Sequence, residues 1–181
     1  MRRKTFDKIV TFVGFGLSAL LLVLAGLLNW GATFAQDSVR SQLENQNISF
    51  PAAEAMPPET KDQLTKWAGM QVTTGEMARD YADLYIWEHM KGAAKAGIGK
   101  EATYSEVSGM YMGAAKGGKA SPEEIGKLGE LRQTLFMGNT LRGLLLEAYA
   151  FGTLGNIAAI AALASLVGGI LLLLLSIAGI V

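Results

Sequence analysis

IAAIAALASLVGGILLLLLSIAGIV, residues Ile157 to Val181, and IVTFVGFGLSALLLVLAGLLNW, residues Ile9 to Trp30, decide how this chain is read. No charge lies between Lys8 and Asp37, and none follows Glu147. At about 1.5 Å per residue, the run from Ile9 reaches roughly 30 Å as a helix, the thickness of a bilayer's hydrocarbon core, and the run from Ile157 is longer still. A core helix of a large soluble protein carries similar runs, but 181 residues are too few to bury two of them. The expected fold class is an all-α membrane protein, with two transmembrane helices flanking a small extracytoplasmic helical domain.

The rest of the composition agrees. Half the residues are hydrophobic and 18% are charged, where soluble domains carry about 25% charge. Lys plus Arg and Asp plus Glu number 16 each, so bulk charge suggests no nucleic-acid partner. Cysteine is absent, which removes disulfides, iron–sulfur clusters, thiolate zinc sites and a cysteine nucleophile.

Arg2, Arg3, Lys4 and Lys8 surround the start of the first run with only Asp7 opposing, and such basic ends stay cytoplasmic. The expected layout is a cytoplasmic tip over 1–8, a first transmembrane helix over 9–34, an extracytoplasmic helical domain over 35–142, an interfacial helix over 143–156 and a second transmembrane helix over 157–181. That places the chain in the plasma membrane with both termini cytoplasmic. Trp30, Phe34, Tyr149 and Phe151 stand where aromatic anchors sit at an interface. A cleavable signal peptide ending at Thr33-Phe34-Ala35 is the competing reading. Its apolar core would be about 20 residues, longer than the usual 7–15, and an uncleaved anchor is expected.

Four S/T-x-x-E/Q signatures predict helix starts between the runs: Thr60 with Gln63, Thr73 with Glu76, Thr103 with Glu106, and Ser121 with Glu124. In each, a hydroxyl and an acid or amide satisfy free N–H groups reciprocally. Val72 and Met77 stand at staple positions around the second, and Pro122 follows the fourth cap. A helix is predicted from about Thr74 to Lys95, with Glu76, Asp80 and Asp83 on a solvated face and Met77, Tyr81, Leu84 and Tyr85 opposite. Gly97 and Gly99 end it, and Gly117 and Gly118 make a second break. Asn47 to Pro58, with three prolines, reads as a non-helical connector, while Asp37 to Glu44 continues the first span.

Chemical motifs are sparse. His89 is the one histidine; Asp83, Tyr85 and Glu88 are near it, but no nucleophile elbow surrounds it. Three acids on one helical face do not make a calcium loop, and no metal, cofactor or catalytic residues are assigned. Gly113 to Lys119 imitates a phosphate loop, yet Ala120 stands where Ser or Thr is needed and no strand precedes it, so no nucleotide is expected. Asn47-Ile48-Ser49 is a formal glycosylation sequon. Gly14 with Ser18, Ala164 with Gly168, and Ser165 with Gly169 are small residues four apart, a spacing that lets helices approach closely. Neither central run carries a charge, the usual mark of an ion pathway. Arg132, Arg142, Glu147, Tyr149 and Phe151, together with Asn156, are candidates to meet headgroups or another subunit.

The stretch Thr134-Leu135-Phe136-Met137-Gly138-Asn139-Thr140-Leu141-Arg142-Gly143-Leu144-Leu145-Leu146-Glu147-Ala148-Tyr149-Ala150-Phe151 resembles a family of uncharacterised actinobacterial two-span membrane proteins. The opening Met1-Arg2-Arg3-Lys4-Thr5-Phe6-Asp7, the segment Asn47-Ile48-Ser49-Phe50-Pro51 and Ala78-Arg79-Asp80-Tyr81-Ala82-Asp83 are similar too. The resemblance implies the two-span topology and carries over no catalytic residue. Some members bear an aromatic ring-opening dioxygenase label; one histidine cannot supply a non-haem iron site.

The expected function is non-enzymatic: an accessory subunit of a larger cell-envelope complex, respiratory assemblies included. Its expected partners are the lipid bilayer, other membrane subunits or a second copy. One alternative is a lipid-binding or envelope-sensing protein using Leu131 to Leu154. The other is an enzyme with a site near His89.

Overall fold

The structure, a computed structural model, describes residues 3–118 and 120–179, with side chains from Phe6 onward. Arg2 and Lys119 lie outside the described residues, as do the side chains of Arg3 and Lys4. Among the described residues the regular elements are all helical, with one antiparallel bridge, Ser49 to Gln71. In chain order they are α1 (Arg3–Gln46), a 3₁₀ turn (Ala53–Ala55), α2 (Lys61–Leu64), a second 3₁₀ turn (Thr65–Trp67), α3 (Gly75–Asp80), a π turn (Tyr81–Ile86), α4 (Trp87–Ile98), α5 (Tyr104–Gly117) and α6 (Pro122–Ala178). Helices α1 and α6 carry the two apolar runs, and each is long and apolar enough to cross a membrane. Residues 143–156, expected as a helix of their own, are the middle of an unbroken α6. The chain forms two compact units, one of residues up to Ser38 and from Phe151, the other of Val39–Ala150.

The first unit is a helix pair with a seam of small side chains. Ser18, Ala25 and Ala32 are buried along α1, seven residues apart. Gly155, Ala162, Gly169 and Ser176 are buried along α6 at the same interval. A seven-residue repeat keeps one stripe of a helix on its neighbour, and small residues there bring the backbones close. A Cβ on Gly169 would lie 3.0 Å from the Leu22 side chain, and one on Gly155 would meet Ala35 Cβ at 3.1 Å. A Cβ on Gly14 would strike Ser176 Oγ. Large apolar side chains point away: Phe12 is 82% exposed, Ile160 70% and Leu175 68%.

The second unit has a true core. Val39 and Leu43 from the end of α1 join Phe50, Met56, Leu64, Val72, Met77, Ile86, Met90, Val107, Leu131, Leu135 and Leu145. The connector leaves α1 through Asn47, whose φ of 52° turns the chain. It then runs beside residues 70–72, with Phe50 N–H donating to Met70 O at 2.9 Å and Val72 N–H to Ile48 O at 2.8 Å. Aside from one 3₁₀ turn it is non-helical, as expected. Gly99 (φ 77°) ends α4 and Gly118 (φ 62°) ends α5, the left-handed positions that favour glycine.

Two of the four expected caps form as boxes. Thr103 Oγ1 accepts from Glu106 N–H at 3.3 Å, and Glu106 accepts from Thr103 N–H at 2.7 Å. Ser121 and Glu124 do the same at 3.2 and 2.8 Å. Backbone and hydroxyl donors hold both glutamates below the usual carboxylate range. The other two differ. Thr74, not Thr73, caps α3, accepting from Met77 N–H, while Glu76 turns outward to Lys66 at 3.3 Å. Thr60 starts α2 without a side-chain cap, because its hydroxyl donates to Leu84 O at 2.7 Å instead. Leu131, Leu135 and Leu145 of the stretch expected as a lipid contact are core residues, while Phe136, Met137 and Leu144 are exposed.

Candidate functional site

In the helix pair, two polar contacts fix the seam. Ser18, 1% exposed, donates to Gly169 O at 2.8 Å. Gln36 Nε2 donates to Gly152 O at 2.9 Å and to Asn156 Oδ1 at 2.8 Å. Of the small residues spaced four apart, Gly14, Ser18 and Gly169 lie on the seam, with Gly168 at its edge, 3.6 Å from Leu21 as a Cβ would measure it. Ser165 is half-buried and Ala164 is exposed, off the seam. Gln36, Gly155, Ala162 and Ser176 were not anticipated; the seven-residue spacing of Gly155, Ala162, Gly169 and Ser176 was the signal. Beside the seam runs an open groove of about 370 Å³ lined by Leu22, Ala25, Gly26, Asn29, Ala159 and Ala162, among others.

In the second unit the polar residues gather around the π turn, the middle of a helix that runs from Gly75 to Ile98. A π turn adds a residue to one helical turn and is found often at functional sites. Here Trp87 N–H reaches back to Ala82 O. Three of the turn's carbonyls take side-chain donors from three directions. Arg142 Nε of α6 donates to Ala82 O at 3.1 Å, Thr60 to Leu84 O at 2.7 Å, and His89 Nδ1 lies 3.0 Å from Tyr85 O. A backbone oxygen can only accept, so Nδ1 carries the proton in that contact and Nε2 faces outward. Arg142 also binds Asp83 Oδ1 at 2.8 Å and lies 4.5 Å from the centre of the Trp87 ring.

The acids expected on one solvated face are split by this turn. Asp80 is 4% exposed and accepts from Trp67 Nε1 at 2.9 Å, from Arg79 Nη2 at 2.8 Å and from Lys66 Nζ at 3.0 Å. Burial alone would raise its carboxyl, but the bonds from Trp67, Arg79 and Lys66 outweigh that and hold it below the usual range. Asp83 belongs to Arg142 instead. The wider turn changes the helical phase between the two acids, which a uniform 3.6-residue period cannot anticipate.

The remaining candidates are placed as follows. Arg132 bonds Ser108 Oγ at 3.0 Å and lies between the Tyr104 and Tyr111 rings. Both it and Arg142, expected to meet headgroups or another subunit, are thus bonded inside the helical unit. Arg79 lies over the Tyr149 ring at 5.2 Å, and Gly75 abuts the Ala148 and Tyr149 backbone. Glu147 and Phe151 are exposed. His89 lines an open groove of about 590 Å³ with Pro57, Pro58, Glu59, Lys91 and Lys95, and Glu88 in that groove pairs with Lys91 at 2.6 Å. Among the described residues no three His, Cys, Asp or Glu are placed to hold a metal ion, and no buried side-chain nitrogen or oxygen lacks a partner. Residues 113–117 of the phosphate-loop look-alike are the last turn of α5, and its Lys119 lies outside the described residues. Comparison of the chain with protein-family models, with curated proteins and with solved structures returns no match in any of the three.

Proposed function

We propose that this is a non-enzymatic membrane protein: α1 and α6 cross the plasma membrane as a hairpin, both termini are cytoplasmic, and the helical unit stands outside. It acts by protein contacts, as an accessory subunit of a larger cell-envelope complex. The observation that carries the reading is the inside-out arrangement of the helix pair. Small and polar side chains fill its seam while Phe12, Trp30, Ile160 and Leu175 face outward. Only 11% of the most apolar window of each helix is buried. In water an exposed surface of that kind drives association; in lipid it is solvated. The groove along Ala25, Gly26, Asn29, Ala159 and Ala162 supports contact with a further membrane helix, since small residues admit a close backbone and an amide can bridge to it.

The test is in-cell photo-crosslinking from Gly26 and Ala159, followed by purification in mild detergent and mass spectrometry. The reading expects a defined protein adduct from these positions and none from Leu175. A monodisperse monomer, with crosslinks to lipid alone, would refute it.

A further inference from the structure

We propose that the membrane helix seated in the groove beside the seam is α1 of a second copy, so that two chains pair side by side through Asn29. The inference rests on the membrane reading above and names the partner of that same groove. It starts from the rule that the seam obeys. Ser18, Ala25 and Ala32 are small, seven apart and buried on α6. One residue further along, Ala19, Gly26 and Thr33 repeat the interval with small side chains, and all three are exposed. Small residues at a seven-residue interval keep two helices close over several turns. Helix α1 carries two such stripes, and α6 covers one. Leu22 and Asn29 interleave with the second, which gives Ala19, Leu22, Gly26, Asn29 and Thr33 the alternating three and four spacing of a helix–helix seam. Three of these, Leu22, Gly26 and Asn29, line the groove of about 370 Å³. A Cβ on Gly26 would meet nothing within 4 Å, so a neighbouring backbone can approach there.

Asn29 selects the occupant. In the two apolar runs Thr11 and Ser165 are half-buried and Ser18 and Ser176 are buried, which leaves Asn29 as the one exposed polar side chain there among the described residues. Its backbone oxygen takes the Thr33 hydroxyl. The α6 wall of the groove is alanine and leucine, and offers the side-chain amide no bond. Asn29 lies seven residues, about 10 Å along the helix, inside the polar contact of Gln36, and an amide without a partner at that depth is costly. Two copies inserted in the same direction are related by a two-fold axis along the membrane normal, so each residue meets its own counterpart at its own depth. A carboxamide both donates and accepts, and two Asn29 side chains therefore satisfy each other reciprocally. A single Asn in a heptad seam sets register and copy number in paired helices for this reason. The stripe carries no charge, so nothing in it repels a like copy. Each α1 then lies against Ala159 and Ala162 of the other chain.

The chain has no cysteine, so a single introduced one reports alone. The full chain carrying Ala19→Cys, Leu20→Cys, Thr33→Cys or Phe34→Cys is reconstituted at low density in vesicles of phosphatidylcholine and phosphatidylglycerol, then oxidised. Leu20 and Phe34 are 54% and 56% exposed; each matches its neighbour in depth but points about 100° further round the helix. Ala19→Cys and Thr33→Cys should form disulfide-linked dimers on the order of tenfold faster than their neighbours, because only their face meets a second copy. Asn29→Val should weaken the dimer about five- to thirtyfold on dilution into excess lipid, the worth of an interhelical hydrogen bond in a membrane. Gly26→Leu fills the groove without touching the chain's own seam and should erase the preference for Ala19→Cys over Leu20→Cys. A chain that alkaline carbonate strips from the vesicles would defeat the membrane reading, and this proposal with it. A chain that stays inserted yet crosslinks equally at all four positions would overturn the second copy alone, and so would a dimer indifferent to Asn29→Val and Gly26→Leu. A photo-crosslink from Gly26 to a different protein would then identify the occupant.

Discussion

Replacing Asp80 by Asn removes one charge and almost no volume from the most heavily bonded side chain in the helical unit. The native carboxylate takes both Arg79 nitrogens, at 2.8 and 3.1 Å, on one oxygen, and Trp67 Nε1 and Lys66 on the other. Asparagine offers one acceptor and turns an NH₂ toward groups that only donate. Leaving a fully buried partner uncompensated costs about 3–5 kcal/mol. Here the side chains of Lys66 and Arg79 are 50% and 39% exposed, so both rehydrate, and the cost falls to about 2–3 kcal/mol, near that of one or two charge-assisted hydrogen bonds. The assay is reversible urea unfolding of the helical unit in the full chain, followed by Trp fluorescence, from pH 7 down to pH 2. The sign of the pH effect follows from linkage. The folded carboxyl is held low, so its contribution is complete above the unfolded value of about 3.9 and is lost as pH falls through the folded value. The gap between native protein and Asp80→Asn should therefore be constant from pH 7 to 5 and close below about pH 4. Glu101, Glu106 and Glu124 are also held low, but they are common to both proteins and cancel. A gap under about 0.5 kcal/mol, the range of ordinary surface changes, or one that persists at pH 2, would refute the argument.

Other substitutions separate expectations of similar appearance. Thr74→Ala should cost about 0.5–2 kcal/mol in the same unfolding assay, the worth of an N-cap. Thr73→Ala, whose hydroxyl reaches only Met77 Sδ at 3.8 Å, should cost a few tenths; the reverse order would restore Thr73 as the cap. Gly169→Leu forces a side chain into a space where Cβ alone lies 3.0 Å from Leu22, and overpacking of this kind costs about 1–3 kcal/mol. Its thermal midpoint in detergent should fall while that of Ala164→Leu stays put, and equal shifts would remove the seam argument. Asn47 is exposed at the start of the sequon Asn47-Ile48-Ser49, so translation into microsomes tests the proposed orientation. A glycosidase-sensitive shift that Asn47→Gln abolishes is expected, and its absence, with modification of sequons added at the termini, would invert the topology.

What could be read beforehand, and what could not, divides along physical lines. Helical content, the two apolar runs and the boxes at Thr103 and Ser121 depend on groups within a few residues of one another, and pattern suffices for those. Thr60 fitted the same pattern and failed, because the Leu84 carbonyl, 24 residues away, competes for its hydroxyl. Asp80 was placed on a solvated face by a helical period that the π turn interrupts, and by ignoring Lys66 and Trp67, which approach from another element. The helix seam was half legible. Small residues four apart identify faces that are able to approach, and so admitted Ala164. Small residues seven apart identify the face that stays in contact over several turns, and Gly155, Ala162, Gly169 and Ser176 satisfy that stricter test. Arg142 is the instructive case. Near the end of an apolar stretch, an arginine reads as an anchor for headgroups. Its bonds to Ala82 and Asp83 are visible only after α6 lies beside a turn whose own irregularity no periodicity announces. Its partners, one backbone oxygen and one carboxylate some 60 residues earlier in the chain, share no local pattern with it, so no spacing in the sequence could have paired them.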